Sequence, residues 1–196
     1  AQSKSPLVQL ETFGSVYRSI STRTLTRDNV LQIKGKSIFI MKLQGFLSFS
    51  SAVEFSESLL QKLDTMNTER TIKIQQLILD FTSVTGLDTS GVLALTNMVN
   101  DCHERPIVQH LHFTGLNPMT ERFTIDQIKG QAADDIESGY LILHDNFHQA
   151  YTEIESEICM PYTRKKMAAE VEEEEQRRRE QYSAGTSAAA GGNRRG

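Results

Sequence analysis

The sequence has no tryptophan, only two cysteines and four prolines in 196 residues, and 7% aromatic residues. Cys102 and Cys159 are far apart and form no metal-spacing pair. Reduced thiols in a cytosolic setting are therefore expected, not a disulfide framework or a zinc ribbon. Long apolar runs are also missing: none approaches the roughly 20 residues that cross a bilayer. No secretory signal is visible, so the chain itself reads as soluble. A basic excess is absent too; the net charge of −4 argues against nucleic acid as a partner. There is no glycine-rich phosphate loop and no glycine-flanked nucleophile elbow. No enzyme is expected, and no cofactor.

What remains is 38% hydrophobic content, enough for one good core with flanks. The most informative stretch is residues 76–105. Leu77-Ile-Leu79 is an unbroken apolar run that suits a strand buried on both faces, and Asp80 ends it. Residues 82–87 read as a polar, glycine-containing turn. Asp88 or Thr89 is then a good N-cap for a helix whose inner stripe is Val92, Leu95, Val99 and Cys102. A strand, loop and helix in this order put the loop at the strand's carboxyl end, where open α/β sheets place their sites.

Ser90 stands one or two positions inside that helix, where free N–H groups and the helix dipole favour negative charge. Phosphate on Ser90, or on its neighbour Thr89, would be locally stabilised and would still change the surface by nearly two charges. The plainer reading is that Ser90 simply caps the helix. Asp80, Leu87, Asp88, Gly91 and Val92 complete the expected switch loop and partner surface.

Leu77-Ile-Leu-Asp80 followed by Val84-Thr-Gly-Leu-Asp-Thr-Ser-Gly-Val92 resembles the signature of the STAS domain. That domain is shared by anti-sigma factor antagonists and the cytosolic ends of sulfate permease family anion transporters. Residues 40–52, Ile-Met-Lys-Leu-Gln-Gly-Phe-Leu-Ser-Phe-Ser-Ser-Ala, resemble the transporter version of the first strand and its turn. Phe113-Thr-Gly-Leu-Asn-Pro118 resembles the strand-to-helix turn after the signature. The resemblance covers roughly residues 30–158, in the expected order.

Along the rest of the chain, residues 1–28 read as a polar linker or leader, with Arg18, Arg23 and Arg27 able to face anionic lipid headgroups. The domain proper is expected over 29–160. Segments 30–34 and 37–43 read as two strands joined by a tight turn at Gly35-Lys36. A helix follows over 52–63, and 64–73 reads as a polar connection. A strand is expected at 107–114, a short helix at 118–129, a strand at 140–143 and a closing amphipathic helix over 145–158. This alternation predicts an α/β fold: a mostly parallel, mixed sheet of four to five strands with helices mainly on one side. Residues 161–182 carry Glu–Arg pairs at i,i+4 spacing and almost no apolar stripe, as in a solvated helix. Residues 183–196 have the Ala, Gly and Ser content of a disordered tail. The chain starts with Ala1, as expected of a piece of a longer protein.

Two histidine pairs invite a metal reading, His110 with His112 and His144 with His148. Neither has a third ligand placed by sequence, so no metal is expected. Asp80 and Asp88 flank one loop as in phosphoryl-accepting folds, yet a turn former and a cap explain both.

The resemblance implies a non-enzymatic regulatory domain at the cytoplasmic face of a membrane, tethered through a membrane domain outside this chain. Its implied partners are that membrane domain, a second copy of itself, and a protein kinase or other regulatory protein. Nucleotide binding occurs in the family but is not predicted here. The alternative is a free-standing antagonist-like protein switched by phosphorylation of Ser90.

Overall fold

The computed structural model describes residues 7–17, 25–105, 107–116, 122–162, 164, 165 and 169. The chain forms two compact units, residues 1–156 and 157–196. In the second, the described residues 157–162, 164, 165 and 169 are helical.

The first unit is built on one sheet of five strands in the order β1-β2-β3-β4-β5. They are β1 (Val8–Phe13), β2 (Ile38–Leu47), β3 (Gln76–Leu87), β4 (His110–Thr114) and β5 (Leu141–His144). β1 runs antiparallel to β2, and all other neighbours are parallel. The helices are α1 (Leu25–Lys34), α2 (Phe49–Glu69), α3 (Thr89–Glu104), α4 (Arg122–Gln131) and α5 (Ala133–Glu137). A sixth, α6, begins at residue 147. This is the mixed, mostly parallel α/β architecture expected from the pattern.

The strand order explains the layering. From β2 to β5 the sheet grows in one direction, and right-handed crossovers then put successive helices on the same face. By period-two alternation, Phe39, Met41, Leu43, Leu77, Leu79, Phe81, Leu111 and Phe113 all point to that face. They form one core with Phe55, Leu59 and Leu63 of α2 and Val92, Leu95 and Val99 of α3. The opposite face is buried as well, since Ile38, Ile40 and Ile78 are fully enclosed. α6 lies on that side: the Lys42 ammonium sits 5.3 Å over the Phe147 ring. Tyr151 meets Tyr17 edge-on at 4.8 Å, and its hydroxyl donates to the Gly14 carbonyl at 2.8 Å. Cover on both faces accounts for the unbroken apolar run at Leu77–Leu79.

Several boundaries differ from expectation. Residues 8–13 are not linker but the edge strand β1, so the sheet draws on chain well before residue 29. Residues 30–34 are not a strand but the end of α1, where Leu31 is buried and the residues beside it are not. The junction at Gly35–Ser37 is a 3-10 turn, tied by the Ser37 hydroxyl donating to the Lys34 carbonyl at 2.7 Å. The antiparallel partner of β2 is therefore β1. α2 continues through the expected connection to Glu69. Close to its end, Asn67 donates to the Ile107 carbonyl at 2.9 Å and accepts from the Ile74 amide at 2.7 Å. Residues 82–87 do not turn away: β2 runs on to Leu47 and pairs Gln44 with Ser83 and Phe46 with Gly86. The helix expected at 118–129 is found as α4, residues 117–121 lying outside the described residues. The short α5 was not foreseen. The disordered tail and nearly all of the solvated helix expected beyond 161 also lie outside them.

Candidate functional site

β2 and β3 end side by side, and the helices that follow them start together. The Asp88 amide donates to the Leu47 carbonyl at 3.2 Å, locking the two strand ends. Asp88 is the N-cap of α3, its carboxylate accepting from the Gly91 amide at 2.6 Å. Gly91 is required there, because a Cβ would stand 2.5 Å from the Leu47 carbonyl oxygen. At the start of α2 the Ser48 amide donates to the Ser51 hydroxyl at 3.0 Å. Two helix amino termini thus open at one end of the sheet, each with N–H groups that favour an anion.

Thr89 and Ser90 are exposed at the first two positions of α3. Among the described residues the Ser90 hydroxyl has no hydrogen-bond partner. Ser90 is therefore not the cap, and the plainer reading of it is corrected by the Asp88 geometry. Large apolar side chains stand out in the same region: Phe46 is 55% exposed, Phe49 53% and Leu93 46%. Leu87 and Asp88 are half-buried beside them.

Three residues expected on this surface are elsewhere. Gly91 and Val92 are buried against the strand ends, and Asp80 is only 4% exposed. Asp80 acts as an internal clamp instead. One carboxylate oxygen accepts from the Thr82 amide at 3.0 Å, the Thr82 hydroxyl at 2.5 Å and the Thr114 hydroxyl at 3.4 Å. The other lies 3.8 Å from the Lys42 ammonium. Gly115, with φ +66°, closes over this cluster; a Cβ there would meet the Thr82 hydroxyl at 2.3 Å. Phe46, Phe49 and Leu93 were not anticipated as surface residues. The available signal was their position: Leu93 falls off the inner stripe of α3, and Phe46 and Phe49 flank a turn.

The histidines pair differently from their sequence spacing. The His110 ring nitrogen lies 3.1 Å from the Gly139 carbonyl, and His148 is exposed. His112 pairs with His144 from the next strand. Among the described residues no group of three or more His, Cys, Asp or Glu side chains is placed to hold a metal. Cys102 is free and buried, and burial, with Asp101 nearby, pushes its thiol up to about 12.

A family model, the STAS domain, matches residues 30–129, 100 of the chain's 196 residues, and the chain belongs to that family. Comparison with curated protein sequences finds no match. Among solved structures, the chain is similar to the STAS domain of a SulP transporter from Vibrio cholerae. The identity is 16% over 69% of this chain and 98% of that one, with a TM-score of 0.41. It is similar to the murine Solute Carrier 26 family member A9 anion transporter at 17% identity and a TM-score of 0.41. That match covers 56% of this chain and 16% of the transporter's. It is also similar to the anti-sigma factor antagonist SpoIIAA, at 12% identity over 60% of this chain and 87% of that one, TM-score 0.35. Among the described residues no helix is long and apolar enough to cross a membrane.

Proposed function

We propose that this STAS domain is a non-enzymatic regulatory module of a sulfate permease family anion transporter, held at the cytoplasmic face by a membrane domain outside this chain. The observation that carries the regulatory reading is the Ser90 surface. An exposed hydroxyl without a partner sits at a helix amino terminus, in the same region as the exposed side chains of Phe46, Phe49 and Leu93. Isolated apolar residues on a surface are ordinary, but a cluster beside a modifiable hydroxyl suits a partner that phosphorylation would displace. A protein kinase is the implied modifier and the membrane domain the implied partner.

The transporter assignment draws on the Leu43-Gln-Gly-Phe46 sequence at the end of β2, the arginines of the leader and the long charged tail. The exposed Ser90 hydroxyl equally favours a second reading, a free-standing antagonist-like switch. Sequencing the coding region upstream of Ala1 separates the two. Ten or more apolar helices there support the transporter, and a start codon directly upstream supports the free-standing protein. Phosphopeptide mapping of the chain from its native cells then tests the switch, which requires phosphate on Ser90 or Thr89.

A further inference from the structure

On the α6 side of the sheet a chain of polar side chains runs across the strands. His112 and His144, 3% and 7% exposed, stack with centroids 5.2 Å apart. His112 Nε2 is 2.8 Å from Gln76 Oε1, and His112 Nδ1 is 3.0 Å from His144 Nε2. His144 Nδ1 is 3.4 Å from Glu153 Oε2. The contacts run from the central strand β3 through β4 and β5 onto α6.

Counting protons along this chain leaves two arrangements. A neutral imidazole has one donor and one acceptor nitrogen, an imidazolium two donors. With the Gln76 oxygen facing His112, His112 Nε2 must donate and its Nδ1 must accept from His144 Nε2. When His144 Nδ1, 3.4 Å from the Glu153 carboxylate, takes a further proton in this arrangement, His144 is a cation. Turning the Gln76 amide so that its NH₂ faces His112 reverses the Gln76–His112 and His112–His144 links. His112 Nδ1 then donates to His144 Nε2, His144 carries its single proton on the Nδ1 that faces Glu153, and both rings are neutral. The pair thus holds two protons or three. A fourth would set two N–H groups head-on across the shared link and break it.

We propose that the Gln76–His112–His144–Glu153 chain is a proton switch that couples acidification to release of α6 from the sheet. Burial is what opposes the charged arrangement. It is the largest influence on both rings, taking His112 down to about 3 with further repulsion from His144 and His110. His144 is also lowered, burial outweighing the attraction of Glu153 and Asp145. The ionisable groups facing the pair are His110 on β4, Asp145 after β5 and Glu153 on α6. Lys42 and Asp80, on the same sheet face, are engaged with each other. Because the folded state prefers the neutral rings, docking is full above the ordinary histidine value of about 6.5 and weakens as pH falls below it.

Hydrogen exchange on the full chain, at pH 7.5 and 5.5 and corrected for intrinsic rates, tests this switch. Amides of 147–156 should open at least tenfold more at the lower pH, with those of 76–80 unchanged. The His112→Gln/His144→Gln double variant should show the same protection of 147–156 at both values. No change in the wild-type chain, or an equal change in the double variant, overturns the proposal. Should the double variant fail to fold, nitrogen-15 NMR of the wild-type chain decides it. The His112 proton should move from Nδ1 to Nε2 on acidification, and a tautomer unchanged from pH 7.5 to 5.5 overturns the switch.

Discussion

The Asp88 carboxylate accepts a hydrogen bond from the Gly91 amide at 2.6 Å, and this contact leaves the Ser90 hydroxyl free for other chemistry. Cap and modifiable residue are separate side chains two positions apart. Asp88→Ala should therefore lower stability by about 1 kcal/mol, the usual effect of losing an N-cap. Ser90→Ala should stay within about 0.5 kcal/mol of wild type, as for a surface change that removes no partner. Urea unfolding of the two variants measures both. A larger loss from Ser90→Ala than from Asp88→Ala would return the capping role to Ser90.

Asp80 offers a contrast between two conservative-looking changes. Its carboxylate is buried and serves the Thr82 amide and two hydroxyls. Asp80→Ala leaves those donors facing nothing and should cost on the order of 2 kcal/mol. Asp80→Asn keeps an acceptor oxygen in place and should cost clearly less. Thermal unfolding ranks the two, and equal losses would show that the hydrogen bonds of this clamp do not hold the strand ends.

How much of this was legible in the sequence follows from where the information sits. The strand Leu77–Leu79 and the helix behind Asp88 are written locally, in an apolar run, a cap and a 3.6-residue stripe. β1 was not legible, because an edge strand with Gln9 and Glu11 in it has no apolar run and is defined by its pairing with β2. Residues 30–34, Val-Leu-Gln-Ile-Lys, fit a strand and a helix equally over five positions; the helical turns before them decide the matter. The extension of β3 through Leu87 depends on β2 running beside it. At the site, Thr89 and Ser90 could be named from Asp-Thr-Ser-Gly, whereas Phe46, Phe49 and Leu93 gave only the weak signal of their position, and their shared exposure depends on how β2, α2 and α3 meet. The same holds for the histidines: sequence spacing suggests 110 with 112 and 144 with 148, while the parallel pairing of β4 and β5 puts 112 and 144 diagonally on one face, close enough for their rings to bond.

The histidine chain also has a signature in global stability. Both rings have folded values below their ordinary one, so the folded state binds fewer protons than the unfolded chain below about pH 6.5. Stability should be flat above that pH. Below it, stability should fall by up to about 1.4 kcal/mol per pH unit for each ring held neutral. Denaturant unfolding at pH 7.5, 6.5 and 5.5 should show this slope in wild type and a shallower one in the His112→Gln/His144→Gln variant. Parallel slopes would mean that the pair contributes no linkage.

The central claim is that the surface around Ser90 is a partner surface controlled by charge. The most direct measurement is calorimetric titration of the chain against the membrane domain of the proposed transporter, using Ser90→Ala and Ser90→Asp in parallel. Both variants should fold like wild type, since Asp88 supplies the cap and a carboxylate at a helix amino terminus is favourable. Alanine should preserve affinity, and aspartate should weaken it at least tenfold, about 1.4 kcal/mol. Equal affinities for the two variants would contradict the account.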